Sequence, residues 1–104
     1  MLEKIKKIKG INHNDFDDII NDYIEAAKLD LVTSGVAKSW VKNPDKLLES
    51  AIINYVKSQI DSTNSEMYFD AYSLQKDHIR KCKTYRTDVI DNSKLESVLY
   101  ENNK

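Results

Sequence analysis

The stretch NPDKLLESAIINYVKSQI, residues 43–60, decides the fold class. It opens as a helix start. Asn43 has an N-cap side chain, Pro44 suits the first helical position, where its missing N–H costs nothing, and Asp45 lies against the positive end of the helix dipole. Leu47, Leu48, Ala51, Ile52, Tyr55, Val56 and Ile60 then recur at three- and four-residue intervals, the pattern of one buried helical face. Ile53 lies off that stripe, so the helix is apolar over more than half its circumference. Such a helix sits at the centre of a domain or also faces a neighbouring subunit.

On the N-terminal side, TSGVAKSWVKN (33–43) breaks the helical period. Gly35 suits a left-handed cap, and Val36, Trp40 and Val41 point to a connector whose hydrophobes still face the core. Before it, a helix opens at Asn12 or Asn14 and runs to about Thr33. Asp15, Asp17 and Asp18 fall in its first turn, and Phe16, Ile19, Ile20, Tyr23, Ile24, Ala27 and Leu31 form one apolar face. A short helix, Leu2 to Lys9, spaces Leu2, Ile5 and Ile8 among lysines and ends at Gly10. Helices this short are marginal alone in water, so it must dock through those three aliphatic side chains.

On the C-terminal side, Asp61 to Asn64 reads as a loop and Ser65 to about Tyr85 as a helix. Its expected inward face is Met67, Tyr68, Ala71, Leu74, His78, Ile79, Cys82 and Tyr85. Basic residues crowd its C-terminal end, where the dipole favours them. From Arg86 onward hydrophobes thin among Asp, Asn, Ser and Lys, giving an extended or weakly helical tail, with a short helix near Ser93 to Glu101. The expectation is an all-α bundle of about four helices, one short and three long, over residues 1–86, followed by a tail at 87–104 that reads equally as a partner-binding arm or as a fraying terminus.

Composition narrows the function classes. A chain of 104 residues with 40% hydrophobic content supports one modest core, and at this size folding buries only about 60 to 65% of the unfolded surface, so partner subunits would add stability. The net charge of −1, with no basic run longer than Lys6-Lys7, argues against sequence-independent phosphate binding. The single cysteine, Cys82, has no partner for an internal disulfide. No apolar stretch approaches the roughly 20 residues needed to span a bilayer, and residues 1–10 are too charged for a signal peptide.

Catalytic chemistry finds little support. His78 and Cys82, four residues apart, could share a metal, but two ligands are not a site, and buried thiols and core histidines are ordinary on an apolar stripe. The aspartates at 15, 17 and 18 lack the oxygen-ligand spacing and central glycine of a calcium loop. Two glycines exclude a phosphate-cradling loop. Tyr23, Tyr55, Tyr68 and Tyr72 occupy core or core-edge positions. A helix-turn-helix is disfavoured because the eleven-residue connector exceeds the usual three- to four-residue turn.

The ordered set LEKIKKIKGI (2–11), FDDIINDYIEAAKLDLVTSG (16–35), NPDKLLESAIINYVKSQ (43–59) and FDAYSLQKDHIRKCKTYR (69–86) resembles the head-tail connector, or adaptor, proteins of tailed bacteriophages. The telling parts are EAA followed by the TSG break, the NPD-LL-A-I-Y run, and the closing Tyr85-Arg86. The resemblance covers residues 2–86 and leaves Thr87 to Lys104 unmatched. It implies a structural virion protein with neither catalytic site nor cofactor, assembled in the host cytoplasm. Such a protein forms a ring of about a dozen copies below the portal, extends the DNA channel without sequence-specific binding, and receives the next neck or tail-completion protein. Candidate interface residues towards a neighbouring subunit or the portal are Trp40, Val41, Ile53, Tyr55 and Tyr72, with Val89, Ile90, Leu95, Leu99 and Tyr100 on the tail. The alternative class is a small helical regulatory or DNA-associated phage protein.

Overall fold

A computed structural model describes residues 1–87. All regular structure among them is helical: α1 (Leu2–Lys9), α2 (Asp17–Thr33), α3 (Lys38–Lys42), α4 (Lys46–Ile60), α5 (Ser65–Lys81) and α6 (Lys83–Arg86). α4 is the central element, packed between α2 and α5. Leu48, Ala51, Ile52 and Val56 are fully enclosed, and Ile53 is buried with them. The helix is therefore buried on more than one side, as its broad apolar surface requires.

The start of α4 differs from expectation. Asp45, not Asn43, is the N-cap, and its carboxylate accepts a hydrogen bond from the Leu48 amide at 2.9 Å. Pro44 lies before the cap. A residue preceding proline is pushed out of the helical region, so Asn43 (φ −130°) ends α3, and Pro44 leads the chain into a fresh cap. The connector thus holds a five-residue helix, α3.

α2 starts at Asp17, later than Asn12 or Asn14, so only Asp17 and Asp18 occupy its first turn. Ile20, Ile24, Ala27 and Leu31 are buried, while Phe16 and Ile19 remain about half exposed at the helix start. The short α1 is held as its length demands. Ile5 is enclosed, Lys4 bonds Glu49 of α4 at 2.5 Å, and Lys9 reaches Asp61 beyond the end of α4 at 2.6 Å. Gly10 (φ 70°) closes the helix, and the Ile11 amide reaches back to the Lys6 carbonyl at 2.8 Å. Ile8, expected inward, is half exposed. Lys6 is inward instead, at 5% exposure, with its ammonium 2.9 Å from Asp17 and 2.7 Å from Asn14. A buried lysine needs such partners, and they tie α1 to the entrance of α2.

The largest correction concerns α5. Its inward residues are Tyr72 and Ile79, with Tyr68 partly covered, whereas Met67 and Leu74 are 57% and 75% exposed. The helix also ends at Lys81, earlier than Tyr85, because Cys82 turns extended (ψ 118°) before the single turn of α6. On an unbroken helix Tyr85 would lie roughly 140° around from Tyr72. The break brings Tyr85 back to the core, where it is buried.

Candidate functional site

A well-organised part of the surface is where α6, the connector and the start of α4 meet. The Tyr85 hydroxyl donates to Asp45 at 2.6 Å, so one carboxylate caps α4 through one oxygen and receives Tyr85 through the other. Burial, with the Asp45 carboxylate as hydrogen-bond acceptor and nearby negative charge, pushes the Tyr85 phenol up to about 12. Trp40 meets the Tyr85 ring edge-to-face at 5.1 Å, and its indole N–H donates to the Thr87 carbonyl at 3.0 Å. The Ala37 amide donates to the Tyr85 carbonyl at 2.7 Å, and Arg86 Nε to the Arg80 carbonyl at 2.9 Å. The NPD segment and the Tyr85-Arg86 close, far apart in sequence, are halves of one anchor.

A second polar centre joins α2 to α5. Asp30 accepts a short hydrogen bond from the Tyr72 hydroxyl and one from Lys76 at 3.1 Å. Burial and the Asp30 charge hold the Tyr72 phenol far above its ordinary range. Tyr55 packs edge-on to Tyr72 at 5.1 Å, and Asn54 of α4 donates to Gln75 of α5 at 2.9 Å. At the far end of α4, Asp61 accepts from Lys9 and from the Asn64 and Thr63 amides, which hold its carboxyl down at about 2.

These centres fasten the fold. Cys82 Sγ lies 3.9 Å from His78 Nε2, and no group of three or more metal-ligating side chains occurs among the described residues. A concavity of about 450 Å³ runs between Ile11, Phe16, Ile19 and Tyr23 on one side and Gln59 and Ile60 on the other. It is a groove with a hydrophobic rim. Among the described residues, no helix is long and apolar enough to cross a membrane.

Of the expected interface residues, Trp40 is partly exposed within the anchor and Tyr55 is half-buried at the α4–α5 seam. Val41, Ile53 and Tyr72 are buried inside the subunit, Tyr72 at 1% exposure. They have almost no surface of their own to offer. Val89, Ile90, Leu95, Leu99 and Tyr100 lie outside the described residues. The apolar side chains that do reach solvent are others: Ile8, Phe16, Ile19, Leu29, Met67, Phe69 and Leu74. Sequence reading assigned most of these to the core. The available signal was that α5 carries more apolar residues than one face can hold, and that Leu29 falls off the Ile20-Ile24-Ala27-Leu31 stripe.

The described residues form a small all-helical fold in which Tyr85 is anchored on the start of the central helix and several large apolar side chains stay exposed. A family model described as phage connector protein matches residues 1–87, the whole of the described fold. The chain belongs to the phage connector protein family. No curated protein and no solved structure matches it. Family membership gives this connector protein a structural role in the phage, and it covers the three segments whose side chains build the anchor.

Proposed function

We propose that this connector protein forms a ring of about a dozen copies below the portal, extends the DNA channel after packaging, and presents the platform on which the next neck or tail-completion protein docks. Family membership across residues 1–87 carries the reading. The exposed apolar side chains support it, because large apolar patches on small domains mark sites of protein association. A net charge of −1 also suits a conduit, through which duplex DNA must slide without tight phosphate contacts. In this reading the protein is no enzyme and takes no cofactor. It is a virion component assembled in the host cytoplasm, with residues 1–86 as the ring-forming domain. Residues 87–104, with Trp40 at their point of departure, form an arm towards the portal or the neighbouring subunit.

The test is deletion of the gene from the parent phage, together with the mass of the purified protein in solution, alone and with portal. Filled heads without tails, and a multimer on the portal, are expected. Normal tailed particles from the deletion would refute the reading, and salt-sensitive binding to duplex DNA would favour the regulatory alternative.

A further inference from the structure

Helices α2 and α5 each carry a second stripe that the fold leaves wholly or partly open, with Asp22, Leu29, Leu74 and His78 exposed and Ala26 and Ala71 half-covered. On α5 the inward side chains are Tyr72 and Ile79, while Ala71, Leu74 and His78 recur at spacings of three and four along the outward side. On α2, Asp22, Ala26 and Leu29 do the same outside the buried stripe, with Leu29 66% exposed. Spacing of this kind makes a continuous seam that another helix can follow. Two unlike seams on one chain are what head-to-tail association requires, since each copy offers one and accepts at the other.

We infer that α5 of one copy packs antiparallel along α2 of the next, an interface that rests on the ring reading above and specifies its surfaces. In that register Leu29 faces Ala71, Leu74 faces Ala26, and Asp22 meets His78. At both apolar positions a large side chain enters the space above a small one, which lets the helices approach closely. Charge sets the direction. The first half of α2 exposes Asp18 and Asp22, neither of which has an ion-pair partner among the described residues. The last turn of α5 holds His78, Arg80 and Lys81 around Asp77, which pairs with both Arg80 and Lys81 and leaves the turn net positive. Antiparallel packing sets the acidic half of α2 against this basic end, whereas parallel packing would set it against Glu66 and Asp70. Like charges so placed disfavour the parallel arrangement.

The test uses the full chain with Cys82→Ser as background. Leu29→Cys and Ala71→Cys are introduced singly and together, then oxidised with oxidised glutathione. The double variant gives a ladder of covalent multimers on a denaturing gel, and each single variant runs as a monomer. Dimers from Ala71→Cys alone would show α5 pairing with itself and would overturn the inference, as would a double variant that fails to crosslink. Light scattering of the unmodified protein separates the two levels. A multimer without a ladder removes this interface and leaves the ring standing; a monomer at every concentration, alone and with portal, removes both. In a second arm, Leu74→Glu weakens association at least about tenfold with unchanged helical circular dichroism. Asp22→Lys weakens it too, and adding His78→Glu restores it; lack of restoration counts against the register.

Discussion

Tyr85→Phe isolates the anchor most cleanly, because it removes one oxygen and keeps the ring against Trp40. The lost interaction is a buried hydroxyl donating to a carboxylate at 2.6 Å, and hydrogen bonds to charged groups contribute about 1.5 to 3 kcal/mol. Asp45 is only partly buried and keeps its bond to the Leu48 amide, so the lower part of that range applies, about 1.5 to 2 kcal/mol. For a domain of this size that lowers the melting temperature by roughly 6 to 15 °C. Asp45→Ala removes the same bond and the helix cap, which adds about 1 kcal/mol, for a total of about 2.5 to 3 kcal/mol. With Asp45 gone, the tyrosine hydroxyl has little left to lose. The double variant is therefore barely worse than Asp45→Ala, and a double-mutant cycle gives a coupling of about 1 to 1.5 kcal/mol. Urea unfolding followed by the fluorescence of Trp40, the single tryptophan, measures all four corners. Additivity within about 0.5 kcal/mol would refute the idea that the NPD segment and Tyr85 form one unit.

Leu48→Ala empties a fully enclosed site on the central helix and costs about 3 kcal/mol in chemical denaturation, with a smaller loss at exposed Leu74→Ala. Asp17→Ala removes the ion-pair partner of the buried Lys6 ammonium and costs about 2 kcal/mol, whereas Lys6→Met costs less by the same assay, because the Asp17 side chain it leaves behind is 26% exposed against 6% for Lys6. The Tyr85 phenol is raised in the folded state, so its stabilisation is complete below an ordinary tyrosine's range near pH 10. It is lost as the pH climbs towards about 12, and Tyr85→Phe flattens that alkaline fall in thermal melts. Asp61 has the opposite sign. Its lowered carboxyl contributes above the ordinary aspartate range, and that contribution disappears as the pH falls towards about 2, so Asp61→Asn removes part of the acid sensitivity in the same melts.

Periodicity made α2 and α4 legible, because Ile20, Ile24, Ala27 and Leu31, and Leu48, Ala51, Ile52 and Val56, each fill one face packed against another helix. It misled on α5. Met67 and Leu74 satisfy the helical spacing as well as Tyr72 does, and spacing alone does not say which of two apolar faces points inward. What decides is tertiary: Tyr72 finds Asp30 for its hydroxyl, and Gln75 finds Asn54. Lys6 was unreadable for a similar reason, since a lysine among lysines becomes an inward residue only once Asp17 and Asn14 converge on it. The break at Cys82 carries no glycine or proline, and its cause is the distant pair of Asp45 and Trp40. The anchor's halves, NPD and Tyr85-Arg86, were both visible in the sequence, but their contact across forty residues was not.

The indole bond to Thr87 has a geometric consequence for any assembly of this protein. It gives the remaining residues, 88–104, a defined origin on the rigid body of the domain, whatever those residues do. In a closed ring, every copy would present that origin at the same height and at equal angular intervals, like tether points around a collar. A partner held at one origin would then meet the others at an effective concentration set by their spacing around the collar. Many weak, identical grips could hold a neck in place, while each could still be released singly as the next component arrives.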